Sequence, residues 1–325
     1  MTINKKVWIL DDKGLTHDVE LAVYKQNEIE WKVTATKETK GFEEDLSAFG
    51  QHADAVVTQV GFPCDEELIK QLTHCKAIFT FGMGFNNVNL EVARQHGIHV
   101  CHVPDYCLEE VADHTLALAL TSMRKLHLYN RSVKKGEWNP VFMTPVHRMS
   151  NTVIGLYGFG RIARKVAERL KAFGSELIAY DEYVPESVFK DYSVKKVDFD
   201  SLLEQSNVLS LHVPLTPETR NSLDYGRLSK LPKHAIIINT CRGGIINEQD
   251  LLRLIREKHI SCAGLDVLEE EPPAEGNELI YNEDVVISPH AAYFSMEAEK
   301  ELQVRTAENV VRIMNKEKPL HIVNQ

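Results

Sequence analysis

The chain has 325 residues, 43% of them apolar and 26% charged, with a formal net charge of −10. That length suffices for two domains with separate cores, and the composition is ordinary for a soluble globular protein. The negative balance argues against a nucleic-acid surface. The longest apolar run, around 116–120, is too short for a membrane span, and MTINKKVWILDD is no signal peptide.

In chain order, residues 6–10, 31–36, 54–58, 77–81 and 98–101 read as short apolar strands. Helical patterns lie between them, at 18–26 and 65–72 for example, and such alternation predicts a parallel, doubly wound sheet. From 108 to 134 no Gly or Pro interrupts the sequence, which predicts one long helix. A helix of that length needs two burial partners, and a second subunit would supply one of them. Residues 136–151 carry two prolines and read as a connector. Six cysteines without C-x-x-C or metal-finger spacing fit a reduced, cytoplasmic setting.

Residues 152–157 form an apolar strand, and Gly158-Phe159-Gly160-Arg161-Ile162-Ala163 then fits G-x-G-x-x-G/A. An amphipathic helix runs to about 173, and a second strand ends at Asp181. In this pattern Gly158 makes the tight turn and Gly160 lets the backbone approach a pyrophosphate. The helix N-terminus offers N–H donors, and Asp181 accepts from the adenosine ribose diol. A 2′-phosphate there would meet Asp181 and Glu182, so the expected cofactor is NAD rather than NADP. Further strands follow at 208–212, 235–240, 261–266 and 285–288, and then a closing helix at 295–315. The expected architecture is α/β, with two doubly wound parallel-sheet domains. A dinucleotide domain (103–294) is inserted into a domain made of 1–102 plus 295–325.

Ligands collect at the carboxyl ends of strands in such sheets. Arg242 follows AIIINTC, Asp266 ends SCAGLD with Glu271 five residues on, and His290 follows VVISP. A guanidinium fork can hold a substrate carboxylate and polarise the adjoining carbonyl, while an imidazole moves the hydroxyl proton. A carboxylate on the far imidazole nitrogen favours the charged ring. Glu271 by itself would read as part of a solvated acidic turn, Glu269–Glu271. His114 reads as a packed or capping group, and His212 leads into Pro214. Cys241 has no evident base and reads as a small residue against the cofactor.

The set Gly158-Phe159-Gly160, Asp181, His212-Val213-Pro214-Leu215-Thr216, Asn239-Thr240-Cys241-Arg242-Gly243, Asp266, Glu271-Pro272 and Pro289-His290 resembles the D-isomer-specific 2-hydroxyacid dehydrogenase family. The likeness extends over nearly the whole chain. It implies a Rossmann-type NAD domain inserted into a flavodoxin-like substrate domain, with Arg242, Glu271 and His290 as the catalytic triad. It also implies Asp266 near the nicotinamide carboxamide and Arg161-Ile162 under the pyrophosphate. Val213, Pro214 and Thr219 of the segment 212–219, with Thr240 and Cys241, would flank the cofactor. Gly82, Met83 and Gly84 of FGMGFNN would hold the substrate carboxylate, and a homodimer would form through the 108–134 region. The phrase Glu109–Thr115 and the aromatic Tyr293 resemble the C-terminal-binding-protein branch. That branch leaves open an alternative, an NADH-responsive binding scaffold. Tyr293 and Thr58-Gln59-Val60-Gly61 would face the substrate side chain. The sequence carries no regulatory extension like that of longer phosphoglycerate dehydrogenases, so serine feedback through one is not expected.

Overall fold

The computed structural model describes residues 5–11, 14, 16–35, 39–59, 61–140 and 145–325. Thr36, Val60 and part of the 136–151 connector (141–144) lie outside them, as do 1–4 and Asp12 of the leading segment. The chain divides into two units, 1–107 with 295–325 and 108–294. The first crossing thus falls after Cys107, a few residues beyond the expected 102, because 102–107 stays tied to the first unit. His102 N–H donates to His321 O (3.3 Å), Val103 N–H to Gly82 O (3.0 Å) and Arg305 Nη1 to Pro104 O (3.1 Å).

The first unit runs β1 (Lys5–Asp11), α1 (Asp18–Gln26), β2 (Ile29–Ala35), α2 (Thr39–Ala48), β3 (Ala55–Gln59), α3 (Glu66–Gln71), β4 (Ala77–Phe81), α4 (Leu90–Gln95) and β5 (His99–Cys101). Its five strands are parallel, in the order β2-β1-β3-β4-β5. Every residue of β3 and β4 is buried, as expected for strands covered on both faces. Trp8 anchors one core layer with Leu10, Val56, Ile69 and Ile78, and its indole N–H is satisfied by Thr34 Oγ1 at 2.7 Å. Each such buried aliphatic side chain contributes about 1.5–3 kcal/mol by leaving water. Asp65 and Asn89 cap α3 and α4 by accepting from Leu68 N–H and Val92 N–H. The chain's end covers the edge strand β5: Val323 N–H donates to Val100 O, while Asn324 bonds Val100 N–H and Ile98 O.

The second unit runs α5 (Leu108–Met123), α6 (Leu126–Lys134), β6 (Val153–Tyr157), α7 (Arg161–Lys171), β7 (Glu176–Tyr180), α8 (Glu186–Asp191), β8 (Lys195–Lys196), α9 (Phe199–Gln205), β9 (Val208–Leu211), α10 (Tyr225–Leu228), β10 (Ala235–Asn239), α11 (Glu248–Arg256), β11 (Ile260–Leu265), α12 (Glu278–Tyr281) and β12 (Val285–Ile287). The final helix α13 (Met296–Met314), capped by Ser295 Oγ, belongs to the first unit and packs there against α1. The seven parallel strands follow the order β12-β11-β10-β9-β6-β7-β8. The direction in which strands are added therefore reverses between β6 and β9, the switch point beside which such sheets bind ligands.

The expectation of a single helix over 108–134 is corrected. The helix breaks at Lys125, which takes φ +56 and separates α5 from α6. Lys125 is buried, with its ammonium donating to Ser261 O at 3.1 Å. The tertiary anchor, not a local breaker residue, sets the bend. α5 packs on α7, β10 and β11, whereas α6 buries no residue within this chain.

Candidate active site

The glycine turn is rigid because its middle residue is core. Phe159 is fully buried and stacks on Phe189 with centroids 4.6 Å apart. Gly158 has φ +93, and a Cβ there would lie 2.7 Å from His212 O, so the 212–213 backbone occupies the space a side chain would need. Gly160 differs. Its φ is −70 and a Cβ would meet nothing within 4 Å, so nothing in the protein requires glycine at that point. A bare backbone at the N-terminus of α7, where Arg161 and Ile162 begin the helix, fits the close approach of a pyrophosphate.

Asp181 closes the same turn. Its Oδ2 accepts from Phe159 N–H (2.8 Å), and its Oδ1 from Tyr183 and Val184 N–H (2.9 and 3.1 Å). Three donors leave part of a carboxylate's about four lone-pair sites for a ribose hydroxyl. Glu182 is directed to the Tyr180 hydroxyl, which burial and that acid push up from its usual value. These residues fit a dinucleotide.

The segment after β9 is braced from within. Thr219 Oγ1 donates to Pro214 O (2.6 Å) and accepts from Thr216 N–H (2.8 Å), so its hydroxyl shapes the loop. Val213 packs partly on the core and stands against the Gly158 turn. His212 bonds Ser210 Oγ at 2.9 Å, and burial lowers its pKa to about 4, so it is neutral and structural.

The loop after β10 is stapled by buried Asn239. Its Oδ1 accepts from Cys241 N–H (3.1 Å) and its Nδ2 donates to Arg242 O (2.9 Å). Arg242 Nη1 donates to Cys241 O at 2.6 Å, and the guanidinium charge reaches Glu271. Burial pushes the Cys241 thiol up to about 11, which removes nucleophilic character at neutral pH. Thr240 Oγ1 meets Thr115 Oγ1 of α5 at 2.8 Å.

Glu271 and His290 are brought together: Nδ1 of the imidazole lies 2.5 Å from Oε2, and Leu268 N–H donates to Oε1 at 3.0 Å. Burial alone would raise the Glu271 pKa. The His290 hydrogen bond and charge, Leu268 N–H and Arg242 outweigh that and hold it below the usual carboxylate value. His290 takes φ +52, with its N–H donating to Asp266 O (2.7 Å) and Ser288 O (3.1 Å). The ring of Tyr293 stands edge-on to it, centroids 6.5 Å apart.

Asp266 is buried, and its carboxylate accepts three hydrogen bonds from the protein. Oδ1 accepts from Ser288 Oγ (2.6 Å) and Ala291 N–H (2.9 Å), and Oδ2 from Ala292 N–H (2.9 Å). Its visible work is therefore at the root of the His290 loop. His114 Nε2 joins the group at 2.8 Å from Ser288 Oγ. The sequence marks His114 only as a packed or capping group and does not single out the roles of Thr115 and Ser288, because their bonds span 174 and 125 positions and leave no local pattern.

Gly82, Met83 and Gly84 follow β4 in the first unit, where His102 Nδ1 donates to Met83 O at 2.9 Å. Among the described residues no cluster of His, Cys, Asp or Glu suits a metal, and no helix is long and apolar enough to cross a membrane. None of the six cysteines is in a disulfide.

Residues 116–292 match the model of the D-isomer-specific 2-hydroxyacid dehydrogenase NAD-binding domain. A D-3-phosphoglycerate dehydrogenase of Methanocaldococcus jannaschii is 34% identical over 86% of this chain, which spans only 53% of that longer protein. A glycerate dehydrogenase of Methylorubrum extorquens is 30% identical over 95% of this chain and 96% of its own. The crystal structure of a glyoxylate reductase from Paecilomyes thermophila superposes with a TM-score of 0.87, at 27% identity, covering 98% of both chains. The chain belongs to the D-isomer-specific 2-hydroxyacid dehydrogenase family, and its second unit carries that family's NAD-binding domain.

Proposed function

We propose that the chain interconverts a small 2-keto acid and its D-2-hydroxy acid, with His290 as the acid/base and NAD(H) as cofactor. One observation carries this reading: the Glu271–His290 pair at 2.5 Å, in the same unit as the Gly158–Asp181 turn. The cofactor, when bound, supplies or takes the hydride at C2. Gly160, Arg161 and Ile162 would hold its pyrophosphate and Asp181 its adenosine ribose. Arg242 pairs with the substrate carboxylate and polarises the carbonyl beside it. Glu271, ionised, engages Nδ1 and stabilises the imidazolium, leaving Nε2–H to protonate the carbonyl oxygen as it gains charge; in oxidation Nε2 takes the proton back. Gly82, Met83 and Gly84 are proposed to offer backbone N–H groups to a carboxylate, and Tyr293 to bound the substrate side chain.

Six cysteines without a disulfide suit a reducing, cytoplasmic compartment. A homodimer is proposed through α5 and α6, since α6 exposes Leu126 (54%) and Val133 (48%) in the single chain. Ultracentrifugation of the purified chain tests this, with a monomer mass at micromolar concentration against it.

The activity test is a panel of pyruvate, glyoxylate, hydroxypyruvate, phosphohydroxypyruvate, phenylpyruvate and 2-ketoisocaproate with NADH or NADPH. The expected result is turnover of at least one acid with NADH preferred and a D-configured product. Turnover of none, with NADH-dependent self-association, would favour the scaffold instead.

A further inference from the structure

We propose that two consecutive residues of α5, His114 and Thr115, are positioning residues that set the His290 and Arg242 loops against one common helix. The inference rests on the catalytic reading of those loops and goes beyond it, because neither residue belongs to the triad.

The direction of each bond follows from counting protons. Ser288 has one hydroxyl hydrogen and gives it to Asp266 Oδ1 at 2.6 Å. Its oxygen must therefore accept at 2.8 Å from His114, which fixes the imidazole with its proton on Nε2. Thr115 likewise spends its hydrogen on Val111 O at 2.7 Å, so Thr240 donates to it at 2.8 Å. Each loop is thus tied to α5 by a directed hydrogen bond.

Both ties act close to a functional side chain. Ser288 is two positions before His290, whose left-handed backbone persists only where its surroundings over-determine it. Asp266 supplies that constraint by gathering Ser288 Oγ and the N–H groups of Ala291 and Ala292, and His114 anchors the gathered turn to the helix. Thr240 is two positions before Arg242, just past the end of β10. α5 is itself fixed, packed on α7, β10 and β11. His114 Nε2 also stands 3.6 Å from Asp266 Oδ1, which adds attraction whenever the ring is charged.

The test uses the full chain, NADH and the keto acid with the highest kcat/KM in the panel. His114→Leu and Thr115→Val each remove one tie at nearly constant size. Each is expected to lower kcat by roughly fivefold or more, as loss of one buried hydrogen bond at a positioned group implies. NADH Kd, measured by fluorescence, should stay within about twofold, since neither residue touches the Gly158–Asp181 turn. His114→Gln keeps a donor at the Nε2 position and Thr115→Ser keeps the hydroxyl, so both should recover most of the lost kcat. Ser288→Ala removes the first tie together with the Ser288–Asp266 bond, so it should lower kcat at least as much as His114→Leu, a check that holds if the helix variant folds poorly. Unchanged kcat in folded His114→Leu and Thr115→Val, or equal losses in their Gln and Ser counterparts, overturns the proposal. His290→Asn separates the two claims. If it keeps full turnover, the catalytic reading itself fails; if it is inactive while the α5 variants are normal, only the positioning role fails.

Discussion

The two glycines of the dinucleotide turn should respond oppositely to the same added methyl group. An alanine at 158 must hold φ +93 with its Cβ 2.7 Å from His212 O and 2.8 Å from His212 C. The backbone conformation costs about 1–2 kcal/mol, and relieving contacts with main-chain atoms adds about 1–3 kcal/mol. For a unit of this size that total of about 2–5 kcal/mol lowers Tm by about 4–20 °C. At 160 the backbone is ordinary (φ −70) and the Cβ meets nothing within 4 Å. There the loss of a better N-cap, about 0.5–1 kcal/mol, is offset by about 0.4–1 kcal/mol of unfolded-chain entropy. Gly160→Ala should therefore melt within about 3 °C of wild type while binding NADH about tenfold or more weakly. Scanning calorimetry and fluorescence titration of both variants read this directly. A Gly160→Ala chain that binds NADH normally, or that loses as much Tm as Gly158→Ala, would mean that glycine at 160 does not serve the pyrophosphate.

Asp181→Ser removes the charge that a 2′-phosphate would face, so the NADH-over-NADPH preference in kcat/KM should shrink by about tenfold or more; an unchanged ratio contradicts the role given to Asp181. Glu271 is depressed in the folded chain, so its contribution to stability is complete at neutral pH. It is lost as pH falls below the ordinary carboxylate value of about 4.3 and through the lower folded one. Melting curves of wild type and Glu271→Gln should accordingly converge at the acid end, and a Tm gap that persists there counts against an ionised Glu271. Burial holds Cys241 near 11 beside the Arg242 charge, so iodoacetamide should label the native chain slowly at pH 7 and faster as pH rises. Rapid labelling of Cys241 at neutral pH, read by mass spectrometry of its peptide, contradicts this.

Much of the scaffold was legible because it rests on local rules. Strands such as Ala77–Phe81 and Val153–Tyr157 are uniform apolar runs between turn residues, and burial on both faces demands that pattern. The helical ranges read as starting at 65 and 295 begin at the residues that cap α3 and α13, Asp65 and Ser295. The break at Lys125 was illegible: neither Gly nor Pro marks it, and a contact with Ser261, 136 positions away, imposes it. The two-residue strand Lys195–Lys196 has no apolar signature, since it lies at the sheet edge with both side chains exposed. At the candidate site, residue types and order pointed to Arg242, Glu271 and His290. The resemblance implies that Asp266 lies near the nicotinamide carboxamide; it gives no sign that the same carboxylate accepts from Ser288, Ala291 and Ala292. Hydrogen-bond partners of that kind depend on which loops the fold brings together.

Arg242 and His290 are proposed to act on the substrate and not on cofactor binding. The most direct measurement is NADH Kd alongside kcat for wild type, Arg242→Ala and His290→Asn, with the preferred keto acid of the panel. Kd values should stay within about threefold of wild type, with kcat reduced by about a hundredfold or more in both variants. Either variant turning over near the wild-type rate would contradict this role.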